Sequence, residues 1–345
     1  MPRFPTLFLL LAVPFVATAT VPVFLLGFEQ EKTLATALDR SAQSMISATS
    51  EEKAKRLDAL GREHVRAALA IASDPSALVL LARSAEPASD AAARIDALLG
   101  AFELPRVALL GVDGGTAFER TASREEDGPA LESVEDAQSR AAARAEAVRR
   151  IRRGDAAAIT RPDKAPNGTR PALEAIAPVR DANGAIAGHA VVGIDLARID
   201  AIVGETTGLG KTGESICAVV LGNEAVVTTP TRADPDAAYA LRWNLGERKL
   251  VRLEEVLFGN SGRGEDKDLD GEAVLGAWTR IESLGWSIAV TQRRHEISAP
   301  LEPVRQRTML VAAVAGAAAL VVAAIAAWLL SRGGARAAKG PASRS

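Results

Sequence analysis

The chain is 345 residues long, enough for about two domains, and its 48% hydrophobic and 24% charged residues exclude wholesale disorder. The 41 basic and 43 acidic residues leave a formal charge of −2, and aromatics are only 4%, so neither the positive field nor the stacking platforms of a nucleic-acid binder are present. A single cysteine excludes an intrachain disulfide and any cysteine-based zinc or iron–sulfur centre, and His64, His189 and His295 lie too far apart for ligand spacing, so no metal and no cofactor is expected.

The average composition hides a partition. Residues 6–28 and 308–330 each run for 23 residues without a charge, which in a helix is about 34 Å and spans a ~30 Å hydrocarbon core. Both read as transmembrane helices. Ala17-Thr18-Ala19 resembles a signal-peptide cleavage site. The apolar run continues past it through Val21, Phe24, Leu25, Leu26 and Phe28, farther than a leader needs, which favours an uncleaved anchor over cleavage. Arg3 precedes the first segment, and Arg332, Arg336, Lys339 and Arg344 follow the second without an acid. The positive-inside bias then places residues 1–5 and the basic tail 331–345 in the cytoplasm. The loop 29–307 carries 36 of the basic residues and all 43 acidic ones, and falls in the periplasm or exterior. The expected topology is a two-pass protein of the bacterial inner membrane.

In chain order, 29–72 reads as one long helix, with Leu34, Leu38, Ser41, Met45 and Ala48 at heptad spacing, which favours a dimer. Ser73-Asp74-Pro75 breaks it, and a short helix resumes over 76–83. Strands are expected at 106–111 and 116–121 around Asp113-Gly114-Gly115, then a helix over 133–153 closed by Gly154, and a short strand at 156–160. Strands 173–180 and 185–194 flank the turn 181–184, and a short helix covers 196–203. The second half offers strands at 214–221 and 225–229, a mixed helical region over 234–258, and strands at 273–281 and 286–292. The fold class is therefore α+β: 29–105 as a long helix and helical lead-in, then a membrane-distal module (106–203) and a membrane-proximal module (204–307), each an antiparallel sheet with helices on one side. Small residues repeat at Ala312/Gly316 and Ala319/Ala323/Ala327, which permits close helix approach and dimerisation, or reflects abundant alanine.

Several motifs match by letter only. Gly208-Leu-Gly210-Lys-Thr-Gly213 has the dinucleotide spacing, but the order is helix, glycines, strand, so no helix N-terminus receives a phosphate. Asp266-Lys-Asp268-Leu-Asp270-Gly271 opens like a calcium loop, but position twelve is Ala277 instead of glutamate. Cys217 sits in an apolar strand and reads as buried filler. No nucleophile, metal or paired-carboxylate signature stands out, so no catalytic residue and no enzyme activity is expected.

The stretch 207–214 running into a strand, the stretch 269–278 followed by Ile281-Glu-Ser-Leu-Gly-Trp286, and 188–195 with its exit helix resemble segments of double Cache sensor domains, tandem PAS-like modules. The resemblance covers about 29–305. It implies extracytoplasmic recognition of a small molecule in the distal module, with transmission through the membrane helices. The aromatic–arginine signature of amino-acid-binding members is absent, since Tyr239 is the only tyrosine and lies in the proximal half. Asp195 matches the position where such members place an aspartate on the ligand amine; its other reading is an N-cap for 196–203. Arg120, Arg161, Arg170 and Glu174 are candidate polar contacts lining a distal pocket, or else solvated charges. Such receptors usually continue into a kinase, cyclase or chemoreceptor module. This sequence carries only the short tail, which implies a homodimeric sensor signalling through a separate kinase or chemoreceptor-type partner. The alternative is an envelope scaffold or protein-interaction anchor without ligand binding.

Overall fold

A computed structural model describes residues 4–82, 88–122, 134–161, 170–247, 254–256 and 259–337. The chain forms two compact units, Gln43–Arg293 and the pair of segments Met1–Ala42 and Arg294–Ser345.

The first helix is longer than expected. Helix α1 (Phe4–Ser73) runs through the first apolar stretch without interruption, Pro14 and Pro22 included. It stops where the sequence says it must: Pro75 disfavours helical geometry at Asp74, and Asp74 is extended (φ −75, ψ 130). The Asp74 carboxylate accepts the Ser76 N–H at 2.9 Å and caps α2 (Pro75–Leu81). Helix α3 (Ala88–Ala101) follows.

In the larger unit, strands β1 (Arg106–Gly111), β2 (Thr116–Thr121), β3 (Ala158–Ile159), β4 (Glu174–Arg180) and β5 (Ile186–Gly193) make an antiparallel sheet in the order β2-β1-β5-β4-β3. The β4–β5 turn holds Gly184 at φ +81, and the Asp181 carboxylate accepts the N–H groups of Asn183 and Ala185 at 2.9 Å each. Helix α4 (Val134–Arg152) packs Ala147 and Ile151 onto Ala108, Leu110, Ile176 and Val191. The opposite face meets α2: a Cβ at Gly188 would stand 2.7 Å from Leu81 Cδ1. The distal sheet is thus covered by helices on both faces, correcting the one-sided expectation. Its buried strands β4 and β5 are apolar at nearly every position, as two-sided burial demands. Helix α5 (Leu196–Gly204) closes this half.

The second sheet has the order β8-β7-β6-β11-β10-β9, from β6 (Glu214–Leu221), β7 (Glu224–Val227), β8 (Arg242–Asn244), β9 (Gly262–Lys267), β10 (Ala273–Ile281) and β11 (Trp286–Arg293). The mixed helical expectation for 234–258 is corrected. Among its described residues only 254–256 are helical, and 242–244 pair with β7 as a strand. One sheet face packs Ile216, Ala218, Ala225, Val227 and Trp243 together. Across the other face, α1 docks onto the β10–β11 turn. The Ser283 N–H reaches Asp58 Oδ1 at 2.8 Å, and a Cβ on Gly61 would come 2.3 Å from Ser283 Oγ. The buried stripe of α1 is Ile46, Ser50, Lys53, Leu57, Leu60, His64, Ala67 and Ile71, while Leu34 and Met45 of the heptad pattern are exposed.

In the other unit, α6 (Arg294–Ser298) and a 3-10 turn (Ala299–Leu301) lead into α7 (Glu302–Ala337). This unit contains two helices long and apolar enough to cross a membrane. They approach closely: Gly27 leaves room for Thr308, and Gly316 faces Thr20 Cγ2 at 3.2 Å from a built Cβ. Ala312, Ala319, Ala323 and Ala327 are buried in the same stripe, so the small residues face α1 of their own chain. Large side chains such as Leu10, Phe24, Leu25, Val314 and Leu330 point outward. Arg305 pairs with Glu31 at 2.5 Å and Arg294 with Asp39 at 2.7 Å.

Candidate functional site

The α4 face of the distal sheet changes character along the strands. At one end Arg106, Gly193 and Glu174 lie in one row across β1, β5 and β4. Gly193 carries no side chain, and a Cβ there would stand 3.2 Å from Arg106 Cβ, so Arg106 can cross the row toward Glu174. Glu174 is 1% exposed. Arg144 of α4 grips it with both arms, Nε at 2.6 Å from Oε2 and Nη2 at 2.7 Å from Oε1. Arg106 Nη1 stands 3.3 Å from Oε1 and its Nε donates to Glu119 at 2.7 Å. The Glu174 N–H reaches Thr160 Oγ1 at 2.9 Å. Two carboxylates and two guanidiniums cancel in charge, which is how a buried charge survives desolvation.

The middle of the face is apolar, with Ala108, Ile176 and Val191. The next row ends in His189, which is buried with Nε2 unpartnered. Burial, then the positive charge of Arg152, pushes its pKa down, so the imidazole is neutral. Its cross-strand partner Pro178 also borders a separate cleft of about 450 Å³ lined mainly by the end of α1 and by α2, with Leu69, Pro75 and Leu78. The face thus runs from a charged end through an apolar middle, filled by Ala147 and Ile151 of α4, to a neutral imidazole.

The five residues singled out from the sequence do not converge. Glu174 is the centre of the buried network. Asp195 caps α5, its Oδ1 accepting the Ala197 N–H at 2.9 Å. Arg120 lies on the exposed edge strand, 3.2 Å from Asp96 and over the Phe118 ring. Arg170 joins the two halves of the larger unit. It pairs with Asp200 on α5 and donates to the Thr228 carbonyl at 2.9 Å. Arg161 reaches the β10–β11 turn. Sequence reading missed Arg106 and Arg144. Arg144 sits in an arginine-rich helix where no local signal separates it from solvated neighbours; Arg106 opens a strand whose alternation places it on the Ala108 face.

Below this face, Lys53 of α1 is buried and donates to the Val203 carbonyl and Ser215 Oγ at 2.8 Å each, and to the Glu205 carbonyl. It terminates α5 and ties three elements together, and burial pushes its pKa down. Cys217 is fully buried, and desolvation raises its thiol to about 12, which leaves it protonated and inert, as the filler reading expects. The Asp268 carboxylate of the calcium-like segment accepts the Asp270 and Glu272 N–H groups at 3.0 and 2.9 Å and pairs with Arg293, so it organises the β9–β10 turn.

A long helix alongside two antiparallel sheets, flanked by apolar helices, is the fold of double Cache-like sensory domains. Among solved structures the chain is similar to the periplasmic sensory domain of the Campylobacter jejuni chemoreceptor Tlp1, with 13% identity and a TM-score of 0.53 over 75% of this chain and 98% of that one. It is also similar to the extracellular domain of the histidine kinase mmHK1S-Z2, with 14% identity and a TM-score of 0.50 over 76% and 99%. At these identities the likeness is one of fold. No protein-family model matches the chain, and no curated protein matches it by sequence.

Proposed function

We propose that the chain is a membrane-tethered sensor that binds a small molecule outside the cell and signals through a separate partner protein. The observation that carries this reading is the match of 75% of the chain to 98% of a chemoreceptor sensory domain, beside two helices long and apolar enough to span a bilayer. The ligand site is assigned to the α4 side of the distal sheet, where Arg144 and Arg106 recognise an acidic group in exchange for Glu174. Asp195 keeps its capping role, and Arg170 transmits between the modules. The protein acts as a homodimer in the bacterial inner membrane.

The test is a metabolite screen by thermal unfolding on the full chain in lipid nanodiscs. A ligand at 100 times its Kd stabilises by about 2.7 kcal/mol. The expected result is a saturable rise in Tm for one chemical class that Arg144→Gln abolishes. Stable periplasmic crosslinks that ignore every metabolite, with no Tm shift, contradict the sensor reading and favour a scaffold.

A further inference from the structure

Helix α4 ends in Arg149, Arg150 and Arg152, followed by Arg153. Arg150 folds back so that Nη1 donates to the Ile159 carbonyl at 3.3 Å, with Nε 3.3 Å from Asp155. Two residues beyond Ile159, Arg161 leaves the distal sheet and lies against the β10–β11 turn of the proximal one. A Cβ at Gly285 would stand 2.6 Å from Arg161 Nη2 and 3.1 Å from Cζ, so the guanidinium rests on bare backbone. Gly285 also has φ +66, a geometry that resists any side chain which would cover the arginine. Arg280 rises from the foot of the same hairpin, 3.2 Å from Glu282.

Among the described residues Arg161 makes no ion pair and no hydrogen bond, whereas Arg106, Arg144, Arg170 and Arg293 are all engaged. Desolvation, then repulsion from Arg150 and Arg280, holds its pKa below the usual arginine value. The charges that act on Arg161 are the guanidiniums of Arg150 and Arg280, each shared with one acid, Asp155 and Glu282, and the opposing carboxylate of Glu146.

We propose that Arg161, with Arg150 and Arg280, forms an oxyanion-binding site at the junction of the two modules, taking a small multivalent anion that bears phosphate or carboxylate groups. A guanidinium that lies against a glycine and has no partner among the described residues keeps its donors for an incoming group, and planar oxyanions match that fork. The bound anion bridges the end of α4 to the β10–β11 hairpin and so couples distal and proximal modules. This site is separate from the Glu174 network and does not depend on the ligand assigned there.

The experiment uses the full chain in detergent micelles at constant ionic strength, titrated with inorganic phosphate or with citrate against chloride, and read by thermal unfolding. Phosphate, citrate or both raise Tm saturably, and added chloride weakens the effect. Arg161→Gln lowers the apparent affinity at least tenfold and raises the anion-free Tm, because a repelled charge is gone. Arg280→Gln gives an independent loss of affinity, and Arg198→Gln, at an exposed pair with Glu63, binds as the parent does. Phosphate against citrate distinguishes the two headgroup chemistries. No anion-specific shift, or an undiminished shift in both Arg161→Gln and Arg280→Gln, overturns the proposal. Failure of this titration leaves the metabolite screen unaffected, since the screen reads through Arg144.

Discussion

On the distal sheet the buried acid Glu174 is matched by two guanidiniums under a helix. Beside the proximal sheet the buried acid Glu254 accepts, among the described residues, from two neutral donors, the Trp243 indole N–H at 2.8 Å and the Gly246 N–H at 3.1 Å. The first arrangement is an ion-pair network, and the proposed function assigns the ligand to it. The second fixes Trp243 in a core with Ile216, Ala218 and Val227 and has no cationic member among the described residues. The difference separates a face suited to recognition from one suited to rigidity.

The comparison breaks most visibly at the acids themselves. Glu174→Gln removes the acid that lies between Arg144 and Arg106, of which Arg106 keeps Glu119, and an equilibrium unfolding experiment should register a loss of about 3–5 kcal/mol. Glu254→Gln keeps a carbonyl oxygen for its neutral donors and should lose about 1 kcal/mol. Equal losses would erase the distinction. The docking of α1 on the proximal hairpin is next in size. Gly61→Val puts branched carbon where Ser283 already sits and should cost about 1–3 kcal/mol, read as a lowered denaturation midpoint.

Two buried histidines, His189 on β5 and His64 on α1, add an acid sensitivity. His189 and His64 have pKa values depressed mainly by burial. The unfolded chain therefore binds protons that the folded one refuses. Stability from these groups is fully present above the ordinary imidazole value of about 6.5 and falls as pH drops below it. Tm measured from pH 7.5 to 5 should decline, and His64→Gln/His189→Gln should flatten the curve. The smallest effect is expected at Asp195→Ala, which removes the α5 cap at a cost of about 1 kcal/mol and leaves ligand affinity unchanged. A large fall in affinity there would return Asp195 to the binding site.

Much of this fold was legible because its signals are local. The strands at 106–111, 116–121 and 273–281 carry apolar runs bounded by Gly-containing turns, and Ser73-Asp74-Pro75 writes its own helix stop. Strand β9 was not legible: Gly-Arg-Gly-Glu-Asp-Lys has no apolar residue, and it is a strand because β10 pairs with it and the Trp278 ring lies over Gly262. Strand β8 is three residues long and is made by pairing with β7. The site divides the same way. Asp195 precedes its helix in sequence, so its cap could be read locally. The arginines on Glu174 come from β1 and α4 and the glycine under Arg161 from the β10–β11 hairpin, all far along the chain, and spacing holds no record of such contacts.

The proposed topology, with residues 29–307 outside the cell and 1–5 and 331–345 inside, can be read by labelling engineered cysteines with a membrane-impermeant maleimide on intact spheroplasts. The native Cys217 is buried and protonated, so it stays silent. Asp113→Cys, in the exposed β1–β2 turn, should label at once, and Arg336→Cys should label only after permeabilisation. Immediate labelling of Arg336→Cys, or protection of Asp113→Cys, would contradict the account.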